Sequence, residues 1–186
     1  VCAEEQGTLS PSSENSDSVF GGTSTSAEPV TDEELQALLN QIQGQLPVDN
    51  GNWSVFVSDL INETEGCINE QSMQAASLIK LYIMGAIYEN YEQITEQYGK
   101  DSVDSDLYSM ITVSDNDAAN TLTTYLGSGD SNAGMQAVND FCQAHGYTQT
   151  HMGRMLLASN DQDDNYTSVT DCGHFLIEIY KEEESS

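Results

Sequence analysis

The strongest constraint in this chain is a single charge inside its most apolar segment. Gln74 to Glu89 reads QAASLIKLYIMGAIYE, and Leu78, Ile79, Leu81, Tyr82, Ile83, Met84, Ala86 and Ile87 leave it no polar face. As a helix, such a segment must be surrounded by protein. Lys80 interrupts the run, although Lys and Arg together number only four in 186 residues. An ammonium without partners is costly in apolar surroundings, so its position implies both partners and a task. Ser77 lies three residues earlier, and on a helix i and i+3 share a face, so hydroxyl and amine can meet. Desolvation lowers a lysine's pKa and frees its lone pair to take a proton from a neighbouring hydroxyl. One reading of the pair is therefore a lysine-activated nucleophile. The other is a serine that caps a helix start and a lysine that snorkels to the rim.

A second motif, Ser114-Asp115-Asn116, stands in MITVSDNDAANTLTTYL, with hydrophobic residues before it and Ala118-Ala119-Asn120 leading into a helix. Ser-x-x-Lys followed by Ser-Asp-Asn resembles the penicillin-recognising serine enzymes, class A β-lactamase most closely. The likeness starts near Thr31, because a helix, then a hairpin, then the Ser77 segment is also the family's order. It implies an α/β (α+β) fold in which an all-helical subdomain packs with an antiparallel sheet. It also implies roles: Ser77 as nucleophile, Lys80 as general base, Ser114 as proton relay to the leaving nitrogen, and Asn116 as a holder of Lys80 and of the substrate amide. The Ser77 amide, near a helix start, would supply half an oxyanion hole. The implied substrate is a small β-lactam or an acyl-D-Ala-like amide of a peptidoglycan stem peptide.

The chain departs from that family in two places. Aligning Arg154 with the arginine that opens the family's omega loop makes Arg154 a structural anchor and puts Asn160 on the family's substrate-contacting asparagine. Leu156 then falls where the family has the glutamate that activates the deacylating water, a task an apolar side chain cannot perform. Asp161, Asp163 and Asp164 could take it over only if the loop followed another path. Acylation with slow turnover is the expectation, closer to a D,D-peptidase or penicillin-binding protein than to an efficient β-lactamase. A non-catalytic cell-envelope binding module of the same fold is the rival. Second, no Lys-Thr-Gly occurs, and Lys100 and Lys181 are each followed by an acidic residue. The expected domain, 31–186, thus lacks the family's C-terminal strands, which suggests a fragment, a cleaved chain, or a partner piece that completes the sheet.

Charge narrows the partners. Thirty-one Asp and Glu against four Lys and Arg give −27, a field that repels phosphate backbones and anionic headgroups and excludes nucleic acid as a partner. Carboxylate-bearing substrates are opposed too, unless Lys80 and Arg154 supply local positive charge. Residues 1–30 are rich in Ser, Thr, Glu and Gly and almost free of hydrophobics, the composition of a disordered linker. Cys2 at its head resembles the lipid-modified cysteine of a bacterial lipoprotein, which would put the protein at the cell envelope with a lipid as its only membrane contact. Cys67, Cys142 and Cys172 lack zinc-type spacing; Cys142 and Cys172 are either free buried thiols or a disulfide. Asp161, Asp163 and Asn165 imitate a calcium loop, but Tyr166 and Cys172 occupy its glycine and glutamate positions. His145, His151 and His174 have no metal-ligand spacing, so no metal or other cofactor is expected.

Periodicity predicts the remaining elements. Thr31 and Glu34 form a capping box for a helix through Leu35, Leu38, Leu39, Ile42 and Leu46. Alternation from Trp53 and a return near Cys67 and Ile68 predict a hairpin. NYEQITEQYGKDSVDSD reads as polar connection or short helix. Helices are expected from Asn116 to about Leu126, across Met135 to Cys142, and from about Thr170.

Overall fold

The computed structural model describes residues 32–185. Thr31, the linker 1–30 and Cys2 lie outside the described residues. The chain is mixed α/β, with seven α-helices and two small antiparallel ladders among the described residues.

Helix α1 (Asp32–Gln43) lays Leu35 and Leu39 on a hairpin of β1 (Val55–Asp59) and β2 (Thr64–Ile68), whose register pairs Val55 with Ile68 and Asp59 with Thr64. Leu35, Leu39 and Ile68 form a small core of their own, flanked by Ile42, Leu46, Val55 and Val57. The first strand begins two residues later than the alternation predicts. Trp53 lies outside it, its backbone carbonyl accepting from the Asn69 side chain and its indole N–H donating to the Pro47 carbonyl. The hairpin meets the helical layer at Gly173 on α7 (Val169–Ser185), where a Cβ would lie only 2.2 Å from the Phe56 ring.

The main core surrounds α2 (Ile79–Glu89), whose Ile79, Tyr82, Ile83 and Ile87 are wholly buried. That is the outcome required of a helix without a polar face. Its start differs from the sequence expectation of a helix from Gln74. Met73–Gln74 is instead a short strand, β3, paired with β4 (Tyr166–Thr167), and Ala75 N donates to Asn165 O. These bonds hold the backbone extended, so the helix cannot begin until a single 3₁₀ turn, Ala76–Leu78, has redirected it.

The polar stretch after α2 is two helices, α3 (Tyr91–Tyr98) and α4 (Lys100–Thr112), separated by Gly99 at φ +89°. Val103, Leu107 and Met110 supply the inward face of α4 at helical spacing, which the surrounding charges obscured. Helices α5 (Asn116–Leu126) and α6 (Ser131–Ala144) begin on Asp115 and Asp130, whose carboxylates each accept two backbone N–H groups. Cys67, Cys142 and Cys172 are free thiols; no Cys142–Cys172 bridge forms.

Candidate active site

Lys80 lies in the first turn of α2 and is 3 % exposed. Its Nζ has four oxygen neighbours: Ser114 O at 2.7 Å, Asn116 Oδ1 at 2.8 Å, Ser114 Oγ at 2.9 Å and Ser77 Oγ at 3.3 Å. The Ser114 hydroxyl is also 3.0 Å from Ser77 Oγ, which closes a triangle of two hydroxyls and one amine. Ser77, Lys80, Ser114 and Asn116 are thus brought together across two helix starts.

Local folding explains the convergence. Ala76, at φ +46°, and Ser114, at φ +57°, both take left-handed backbone conformations that cost non-glycine residues about 1 kcal/mol or more each. The first turns the chain out of β3 so that Ser77 faces Lys80; the second turns the Ser114 carbonyl onto the amine. Asp115 then caps α5 through Asp117 N and Ala118 N, which presents Asn116, the first residue of that helix, to Lys80.

The four neighbours accommodate either protonation state of Lys80. A carbonyl and an amide oxygen can only accept, so they take two N–H groups, while the two hydroxyls can accept or donate. An ammonium gives its third N–H to a hydroxyl oxygen, whereas a neutral amine receives a hydroxyl proton on its lone pair. Burial lowers the Lys80 pKa below the usual lysine value, and the negative charge of Asp115 partly opposes that shift.

The loop from His151 to Ser168 flanks this group, and three asparagines fix its path. Asn120 on α5 bonds both backbone groups of Leu156, at 3.0 and 2.8 Å. Asn139 on α6 does the same to Met152, at 3.0 and 2.7 Å. Asn165 accepts from Gly153 N and Arg154 N. The sequence points to none of the three as a loop anchor; for Asn120 and Asn139 the signal was an asparagine facing inward on an amphipathic helix.

Arg154 Nε donates to Asp164 Oδ1 at 2.6 Å, and its guanidinium also reaches the carbonyls of Met155 and Ala158. The buried Asp164 accepts from Gln74 on β3 as well, tying the loop to the strand that leads into Ser77. Asn160 is exposed and gives its amide to Asp164, and Asp163 is engaged by His151 at 2.7 Å. Leu156 is 8 % exposed, with its side chain in the main core.

A sequence profile of the β-lactamase enzyme family matches residues 94–186, half of the chain. The chain belongs to the β-lactamase enzyme family. No curated protein and no solved structure matches it. The family match contains Ser114, Asp115, Asn116, Arg154 and the loop but begins after Ser77 and Lys80. What joins those two residues to the β-lactamase segment is geometry, the contacts of 2.7 to 3.3 Å from the Lys80 amine.

Proposed function

We propose that this β-lactamase family member is a serine hydrolase that forms an acyl-enzyme on Ser77 with β-lactams or acyl-D-Ala-like amides. The observation that carries the reading is the buried Lys80 amine in hydrogen-bond reach of both Ser77 Oγ and Ser114 Oγ. Lys80 takes the Ser77 proton as Oγ attacks the carbonyl, so that a C–O bond forms and a tetrahedral oxyanion develops. The Ser77 amide provides one donor to that oxyanion. As the carbon–nitrogen bond breaks, the proton passes from Lys80 through Ser114 Oγ to the leaving nitrogen. Asn116 orients Lys80 and the substrate amide, and Asn160 is assigned a substrate contact in the same reading.

Deacylation is slow in this proposal. A general base must come within hydrogen-bond distance of its water, yet the position expected to carry it holds Leu156, turned into the core, while Asp163 and Asp164 are engaged within the loop. That arrangement favours a D,D-peptidase or penicillin-binding mode over rapid β-lactam turnover. A lipid on Cys2 and residence at the cell envelope belong to the same proposal and rest on sequence alone.

The test is denaturing intact-mass spectrometry of the full-length protein before and after benzylpenicillin, followed over time beside Ser77→Ala. The expected result is a persistent adduct with the mass of the whole antibiotic, absent from the variant. An adduct that survives Ser77→Ala would overturn the assignment in favour of another nucleophile, and none on the wild type would overturn it in favour of the non-catalytic reading.

A further inference from the structure

A groove of about 490 Å³ runs along the outer face of α4 where α2 and α3 meet it. Its walls carry Tyr88, Tyr91 and Tyr108, with Lys100, Asp104 and Ile111 between them. We propose that this groove is a binding site for an uncharged saccharide, separate from the Ser77 chemistry.

Three observations support it. The aromatic surface is open: Tyr108 is 71 % and Tyr88 59 % exposed, and Tyr88 lies nearly parallel to Tyr91 with ring centres 5.8 Å apart. Large rings left in water form a ready platform, because each offers an apolar face with a hydroxyl at its edge. The apolar C–H face of a hexopyranose is the natural complement of such a ring.

The polar groups are held in place and have capacity to spare. Lys100 donates to Tyr91 Oη at 2.6 Å and to Asp104 Oδ2 at 2.8 Å, and the Tyr91 hydroxyl donates to the other Asp104 oxygen. An ammonium has three N–H donors, so one of Lys100's remains for a ligand, while the carboxylate oxygens retain lone pairs. A fixed donor beside a fixed acceptor suits vicinal hydroxyls. An apolar helix laid over the groove would bury that third N–H and the spare lone pairs unmatched.

Charge selects against the anionic ligands that stack on rings. The chain carries −27, and Asp104 neutralises the only cation in the groove, so phosphate- and carboxylate-bearing molecules are repelled. A neutral sugar meets no such barrier.

The test is tyrosine-ring NMR of the full-length protein titrated with triacetylchitotriose, with cellotriose, and with N-acetyl-Leu-Leu-amide as an apolar peptide. Saturable shifts of the Tyr88 and Tyr108 signals are expected with at least one sugar. Tyr108→Ala should weaken that binding by about tenfold, equivalent to about 1.4 kcal/mol, and Tyr88→Ala provides an independent second variant. Ser77→Ala should bind as the wild type does, so this proposal and the acyl-enzyme can fail separately. Absence of saturable binding by either sugar, binding that ignores both tyrosine substitutions, or shifts produced by the peptide alone would overturn it.

Discussion

Asn120 bonds Leu156 at both ends of its backbone, Nδ2 giving to the carbonyl at 3.0 Å and Oδ1 taking from the amide at 2.8 Å. One side chain on α5 therefore determines where the loop presents its residue at 156. Asn120→Ala removes donor and acceptor together and strands two backbone groups; a buried group left unsatisfied costs about 1–3 kcal/mol. The expected outcome is a lower urea midpoint and faster proteolysis between residues 153 and 163. Unchanged cleavage would mean that Asn139, Asn165 and Arg154 hold the loop without it.

Leu156→Glu tests whether the missing acid is only a missing side chain. The position is 8 % exposed and its neighbours are the main core, so a carboxylate placed there is desolvated without a partner. We expect a loss of roughly 2 kcal/mol or more in a thermal or urea melt, and no gain in nitrocefin turnover. Turnover that rises sharply would show that the loop can rotate residue 156 outward toward the site.

Much of this arrangement was legible in sequence because strong local signals carried it. Lys80 within an apolar run announced a buried amine with partners, and Ser114-Asp115-Asn116 ahead of a helical pattern announced the helix that begins at Asn116. The start of α2 was not legible: residues 74–76 suit a helix in isolation, and only the pairing of Met73–Gln74 with Tyr166–Thr167, more than ninety residues on, draws Gln74 into a strand and delays the helix to Ile79. Likewise α4 hides its three inward residues among acidic ones, and its partners lie on other helices. The three asparagines were invisible as anchors because their partners are backbone groups of a loop whose course depends on tertiary contacts.

Asp115 links charge to reactivity. Burial lowers the Lys80 pKa, and Asp115 pushes it back up. Asp115→Asn keeps a good helix cap while removing the charge, so Lys80 should lose its proton at lower pH. A lysine acting as base does so as the neutral amine, and the acylation rate should therefore rise with pH through the Lys80 pKa. We expect that rising limb, measured with benzylpenicillin, to move to lower pH in Asp115→Asn. Stability follows the same sign: the unfolded chain binds more protons between the lowered value and the usual lysine value, so folding gains stability as pH rises through that interval. A limb that stays in place in the variant would exclude Lys80 as the titrating base.

The loop should respond to acid through Asp164. The backbone amide of Asn165 is the largest influence holding its carboxyl down to about 2; Gln74, Arg154 and Asn160 add to this and burial opposes them. A carboxylate with a lowered folded pKa stabilises fully above its unfolded value, ordinarily 3.8, and loses that contribution as pH falls through about 2. Asp163, lowered chiefly by His151, loses its contribution in the same direction. The loop should consequently resist pepsin at about pH 4 and become cleavable as the pH drops toward about 2. Cleavage is expected near the exposed Leu157, which sits at φ +66° in the segment that Arg154 braces. Asp164→Asn removes the charge that Arg154 pairs with, so it should be cut readily even at the higher pH and show a flatter profile. Equal resistance of wild type and variant across that range would show that the asparagine bonds, and not the Arg154–Asp164 pair, keep the loop against the strand that leads into Ser77.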